Sequence, residues 1–470
     1  MTPRRRGQML AEISDCQETD LTTPADAAAQ PAYLRLLALG ALLGVPISAA
    51  AWGFLALVAR LQHWLYASLP AALGFRGAPV WWPLPLLGIG GLLVAVAILY
   101  LPGTGGHEPA DGLQAGGPAK GREIPGIVLA ALVSLGVAAV VGPEAPLIAL
   151  GGALSVLAVS RTPAGSEPRT RSLVGAIGSF AAISTLLGSP VVGAFLLMEM
   201  ASLSGTALEL MLLPGLLAAG LGALIFTGLG EWSGLGTFSL SIGGLPHVAR
   251  ANIAELGWAV VVGLAAALAS VAIRRGALLL RETVRRQPLL WTPVIGLVVA
   301  GLAIAFAEGT GKGANKVLFS GQTALGPLVT HAAGYTAAAL VLLLACKAIA
   351  YSVSLSAFRG GPIFPAIFVG AVGGAALSHL PGLPLVPAVA MGIAAMIAGM
   401  LRLPMTAVLL AALLLVSDAA AITPLAIVAV VTSYLAVNWL DPVTPAGQAA
   451  SGDGHAGAAT ARRDRATDET

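Results

Sequence analysis

Charge is what this sequence has least of: Asp, Glu, Lys and Arg together make up 10% of 470 residues, against about 25% in an ordinary soluble domain. A chain so poor in charge cannot cover a water-soluble surface of this size, so a soluble enzyme or binding domain is excluded. Cysteine is nearly absent too. Cys16 lies in a polar stretch and Cys346 in an apolar run, which leaves no disulfide framework and no thiolate metal site. The six histidines are scattered, and neither HExxH nor GxSxG occurs; GTGKG at Gly309 to Gly313 lacks the spacing of a phosphate loop. The expectation is therefore no enzyme, no metal and no cofactor. A net charge of +3, placed mostly in tails and loops, gives no nucleic-acid surface. No apolar core follows Arg4, Arg5 and Arg6 within the first 30 residues, so no cleavable secretory signal is read there.

What the chain does have is hydrophobic residues, 57% of the total. Apolar stretches long enough to cross a hydrocarbon core, about 20 residues each, recur from Tyr33 to Leu440. The 59 Gly and 31 Pro do not signal disorder at this hydrophobicity; in membranes they mark close helix contacts and interrupted helices. The reading is an all-α integral membrane protein, multi-pass in the cell membrane and in contact with the lipid bilayer. Residues 1–30 and 441–470 are expected as disordered tails and 31–440 as the membrane domain. That domain divides into halves at about 31–230 and 252–440. The run from Arg274 to Arg286 is the longest basic loop, with five arginines around Glu282. By the positive-inside rule it faces the cytoplasm, and both termini are placed there with it.

The two halves share a rhythm. VVGPEAPLIALGG at 140–152 and FRGGPIFPAIFVGAVGG at 358–374 each break the apolar pattern. Each is followed by a further helix opened by proline, at SPVVGAFLLMEM from Ser189 and LPMTAVLLAALL from Leu403. Proline is favoured in a helix's first turn because its missing N–H was unpaired anyway. Repeats whose interrupted helices meet inside the membrane are a recurrent way to carry an ion across it.

Glu144 is the only charged residue from Ile124 to Ser160. A charge at mid-membrane costs about 2.5–3.5 kcal/mol on insertion scales, so such residues face a pathway or a partner. A helix start lowers that cost through its free N–H groups, and the same donors bind anions. A carboxylate there can occupy an anion site when ionised and vacate it when protonated. In the second half, Gly360 to Leu401 contains no charged residue. Pro362 opens a helix that leaves the amides of Ile363 and Phe364 free to point at an anion, and neutral donors of this kind suit a permeating ion. Within LPGTGGHEP at 101–109, Thr104 among glycines offers one hydroxyl, with turn chemistry as the plainer reading.

In this order and spacing, GTGGH (Gly103 to His107), GPEAP (Gly142 to Pro146) and GGPIFP (Gly360 to Pro365) resemble the anion-pathway motifs GSGIP, GREGP and GxFxP of the CLC family of chloride channels and chloride–proton antiporters. The similarity extends over residues 35 to 440 and includes KAIAYSVSLSAFRGG. It implies a homodimer with one pore per subunit and two inverted repeats of tilted, interrupted helices. It also implies an anion, chloride or fluoride among the candidates, bound by Thr104, Gly105, Gly106, Ile363 and Phe364 and gated by Glu144. Pro143 stands in place of the family's arginine, and Gly106 with His107 in place of Ile-Pro. No late pore tyrosine matches. The inner glutamate that gives exchangers a proton route falls on Met200, with Glu199 one residue earlier and about 100° around the helix. The sequence therefore leans towards uncoupled anion flow. Proton-coupled exchange is the alternative within the family, and an organic-anion transporter the alternative outside it.

Overall fold

A computed structural model of the chain describes residues 31–113, 119–160, 168–201, 206–233, 252–415 and 419–442. The expected tails, apart from residues 441 and 442, and most of the expected joint between the halves lie outside the described residues. Among the described residues the only extended pairing is an isolated bridge between Gly142 and Gly361; the rest is helices and turns.

The first half comprises α1 (Pro31–His63), prolonged by a π-helical turn (Trp64–Ser68) and a final turn (Leu69–Ala72), then α2 (Pro83–Tyr100), α3 (Ile124–Gly136), α4 (Glu144–Val159), α5 (Pro168–Leu187), α6 (Pro190–Ala201) and α7 (Thr206–Ser233). The second comprises α8 (Ile253–Arg286), α9 (Pro288–Thr310), α10 (Gln322–Thr330), α11 (Ala337–Ala357), α12 (Ile363–Leu377), α13 (Leu385–Leu401), α14 (Pro404–Leu414) and α15 (Ala419–Leu440). Eight helices among the described residues are long and apolar enough to cross a membrane. With 16 residues in α4 and 15 in α12, these helices reach only about 22–24 Å at 1.5 Å per residue. That is short of a hydrocarbon core of about 30 Å.

The packing repeats between the halves. α1 lies on α7 as α8 lies on α15, α4 on α5 as α12 on α13, and α5 on α7 as α13 on α15. The halves meet where α2 packs on α9 and α6 on α14. Small residues permit these approaches. A Cβ at Gly370 of α12 would meet the backbone of Gly392 in α13, and one at Gly374 would meet that of Ala388. In lipid, close backbone packing of this kind takes over from the hydrophobic effect as the force between helices. α12 and α13 are buried along most of their length and form the centre of the molecule.

The basic run from Arg274 to Arg286 is not a loop but the last third of α8. A capping box of Asn252 and Glu255 starts that helix, Glu282 pairs with Arg286 one turn on at 3.3 Å, and Arg285 and Arg286 sit in the last turn. Cations there complement the exposed carbonyls of the helix end.

Candidate anion pathway

Two extended segments carry the chain into the starts of α4 and α12, and the site lies between them. Gly142 N–H donates to Gly361 O at 2.7 Å and Gly361 N–H returns the bond to Gly142 O at 2.6 Å. Each segment ends in a proline at the helix N-cap, Pro143 (φ −83°) and Pro362 (φ −92°). The bridge puts the two helix starts face to face. Both glycines leave room for the carboxylate, since a Cβ on Gly142 or Gly361 would fall on Oε2 of Glu144.

Hydroxyl groups fix both segments. Val140 N–H donates to Ser354 Oγ at 3.2 Å, Arg359 N–H to Ser134 Oγ at 3.1 Å, and Tyr351 Oη to Pro362 O at 2.7 Å. Further out, the fully buried Lys347 donates from Nζ to the carbonyls of Val317, Leu318 and Phe319 at 2.8–2.9 Å. Phe319 N–H in turn donates to Ala138 O at 3.0 Å. The loop so held has Phe319 at φ +61°, and Ala138, which accepts its N–H from the first half, stands at φ +72°; this conformation costs a non-glycine residue about 1–2 kcal/mol. The three carbonyl bonds of Lys347 keep it in place.

Glu144 is completely buried. Its Oε1 accepts from Phe364 N–H at 2.7 Å, and the amides of Ile363 and of Glu144 itself also face the carboxylate. Oε2 is buried with no hydrogen-bond partner among the described residues. The donors expected to cradle an anion thus hold a carboxylate supplied by the other half. The structure brings Glu144, Ile363 and Phe364 together across the molecule.

Thr104, Gly105 and Gly106 do not join that cluster by any hydrogen bond among the described residues. With Gly103 they form four successive left-handed residues, at φ +85°, +50°, +72° and +93°, which is why the run is so rich in glycine. Thr104 itself is exposed. Its carbonyl accepts from Arg359 Nε at 3.3 Å, and Arg359 continues to Glu108 at 3.7 Å. Arg359, 7% exposed in its side chain, is therefore what ties the first motif to the third. His107 is exposed in the same turn. Partial covering holds its pKa below the ordinary histidine value in spite of Asp111 and Glu108, so the imidazole is neutral at neutral pH.

A family model described as voltage gated chloride channel matches residues 90–437. The chain belongs to this family. Among curated relatives, the putative ion-transport protein YfeO of Shigella boydii is 30% identical over 329 residues, 69% of this chain and 74% of that protein. YfeO from an Escherichia coli strain is 29% identical over 333 residues, with the same coverage. The fold matches a slow cyanobacterial Cl−/H+ antiporter (TM-score 0.69, 18% identity, 89% of this chain and 99% of that one). It also matches a CLC-type fluoride/proton antiporter (TM-score 0.63, 18% identity, 88% and 96%). The all-α CLC architecture read from the sequence is the observed one.

The exchanger position seen in the sequence has a definite environment in this CLC chain. Met200 packs, half-buried, against the main core. Glu199 turns to the start of α14, where Oε1 accepts from Met405 N–H at 2.7 Å and Oε2 from Thr406 N–H at 2.8 Å and Thr406 Oγ1 at 2.5 Å. It caps a helix of the opposite half. Residues missed in the sequence reading, Lys347 and Arg359, carried the same signal that drew attention to Glu144: an isolated charge in a long apolar run.

Proposed function

We propose that this CLC protein passes chloride or a similar small inorganic anion across the membrane by a pathway in which Glu144 competes with the ion for the amides of Ile363 and Phe364. One observation carries the reading: a buried carboxylate with no cationic partner rests on the first amides of α12. These peptide dipoles are worth more in a water-excluded site than in solution. A halide accepting the same bonds can take the carboxylate's place once Glu144 is protonated or pushed aside. The glycine-rich turn at Thr104, Gly105 and Gly106, held by Arg359, forms the other part of the pathway.

Flow is uncoupled from protons in this reading. Met200 offers no titratable group, and both oxygens of Glu199 are taken up by α14, which leaves no free carboxylate on that stretch of α6. The antiporter activity of the structural neighbours favours a second reading, proton-coupled exchange through a route that does not use Glu199. Purified protein in sealed liposomes separates them. A chloride gradient is expected to drive anion efflux without stoichiometric pumping of protons, and proton movement in fixed ratio to chloride would overturn the uncoupled reading. Organic-acid uptake without chloride flux would overturn the anion-channel class itself.

The functional unit is a homodimer. α7 and α15 expose Leu213, Leu217, Leu224, Ile427, Val431 and Leu435, and a second copy would cover these side chains. Both termini are placed on the cytoplasmic side with the basic end of α8.

A further inference from the structure

The turn from Gly103 to Gly106 has little rigidity of its own. Three of its four residues are glycine, the residue with most backbone freedom to lose. The one main-chain bond inside it, among the described residues, runs from Gly106 N–H to Gly103 O at 2.8 Å. Something outside the turn must hold it, and one side chain does. Arg359 Nε donates to Thr104 O at 3.3 Å. The arginine stem lies against Gly105, where an added Cβ would come within 3.3 Å of Arg359 Cγ.

That side chain is fixed at both ends. Arg359 N–H donates to Ser134 Oγ at 3.1 Å, and two residues on, Gly361 enters the bridge with Gly142. At the outer end Nη2 lies 3.7 Å from Glu108 Oε1. Glu108 is itself paired with Arg285 at 3.3 Å and Arg281 at 4.0 Å, and Arg281 also pairs with Asp111. The last turns of α8 thus brace the guanidinium from the far side. Its planar fork serves Thr104 through Nε and Glu108 through Nη2 at once, which the point charge of a lysine does not. A buried side chain in this way holds an exposed turn.

We propose that Arg359 is a positioning residue that sets anion specificity, a strut whose length fixes the spacing between the Thr104 turn and the amides of Ile363 and Phe364. The inference rests on the reading that the protein conducts anions along that line. Ile363 and Phe364 follow Arg359 by four and five residues, in a main chain already pinned at Gly361. Only the glycine turn is left to give way. Selection among ions depends on the number of donors around the ion and on how firmly they are placed. A held turn keeps its groups at one distance and favours a small anion such as chloride; a released turn accommodates a larger one such as nitrate.

The test pairs amide hydrogen exchange in the full chain with chloride and nitrate flux in liposomes. Arg359→Gln leaves Glu108 its pairs with Arg281 and Arg285. In this variant, exchange in the peptide covering 101–108 is expected to quicken about tenfold, as befits the loss of one hydrogen bond to a charged group. The ratio of nitrate to chloride flux should rise about threefold, within what one hydrogen bond to an ion can change. Made in a Thr104→Ala background, Arg359→Gln should leave that ratio unmoved, because the strut acts through a turn that has lost its hydroxyl. Equal increments in both backgrounds overturn the proposal. So does a lower melting temperature with exchange and flux ratio as in the parent, which marks a brace of the fold and nothing more. Glu108→Gln, which loosens the outer end of the guanidinium, decides the matter where Arg359→Gln fails to fold: quicker exchange at 101–108 supports the strut and unchanged exchange overturns it. Quicker exchange in a protein that moves neither anion supports the strut and sinks the functional reading instead.

Discussion

Among the described residues Glu144 has no cation to answer it, only amides, and one of its oxygens has no hydrogen-bond partner. A hydrogen bond to a charged group is worth about 1.5–3 kcal/mol and a neutral one about 0.5–1.5, so Glu144→Gln should loosen the side chain by roughly 1.4 kcal/mol. Anion flux at neutral pH is then expected to rise about tenfold. In the parent protein flux should increase as the pH falls and the carboxylate gains its proton. In the glutamine variant it should be flat with pH; a retained pH dependence would remove Glu144 from the gate. Gly361→Ala reaches the same point by steric means. Gly361 has no positive φ, so alanine is conformationally acceptable there, but its Cβ coincides with Oε2 of Glu144. Displacement of the carboxylate should give flux as insensitive to pH as that of Glu144→Gln, measured in the same liposomes.

Among the elements, α14 shows how function and support can be mistaken for each other in a sequence. Glu199, one residue before the exchanger position, satisfies three donors at the start of α14. Thr406 is buried and Met405 exposed, and a buried donor left without an acceptor costs about 1–3 kcal/mol. Glu199→Ala should therefore lower the melting temperature of the purified protein, while its ratio of proton to anion movement stays as in the parent; a change in that ratio with stability intact would restore a proton-carrying role. The helix starts at Glu144 and Ile363 were legible because proline, glycine and a lone charge mark them in an otherwise uniform sequence. The basic end of α8 was not. A run of arginines reads as a loop if charge is taken to mean solvent, whereas a long helix can carry its last turns beyond the lipid. Nor could spacing along the chain reveal that Arg359 touches Thr104, since that contact joins residues 255 positions apart.

For the molecule as a whole, the repeated pairing of helices accounts for where the site is. Each half supplies one short helix that begins inside the core, and neither half has the site by itself, because the carboxylate comes from α4 and its donors from α12. The two-half organisation was visible in the sequence as rhythm, but the meeting of the two prolines needs the fold. The same symmetry sets α7 and α15 on either side of the packed pair α6 and α14, with leucines and valines outward. Leu217→Trp combined with Val431→Trp is expected to shift the detergent-solubilised protein from dimer to monomer, as read by light scattering after size-exclusion chromatography. An unchanged dimer mass would place the subunit contact elsewhere.

The reciprocal bonds between Gly142 and Gly361 have a kinetic meaning. With main-chain atoms pinned from both sides, the proposed gate opens by rotation about the bonds of a single side chain. In the proposed pathway, traffic through such a door is set by proton arrival and ion occupancy at Glu144.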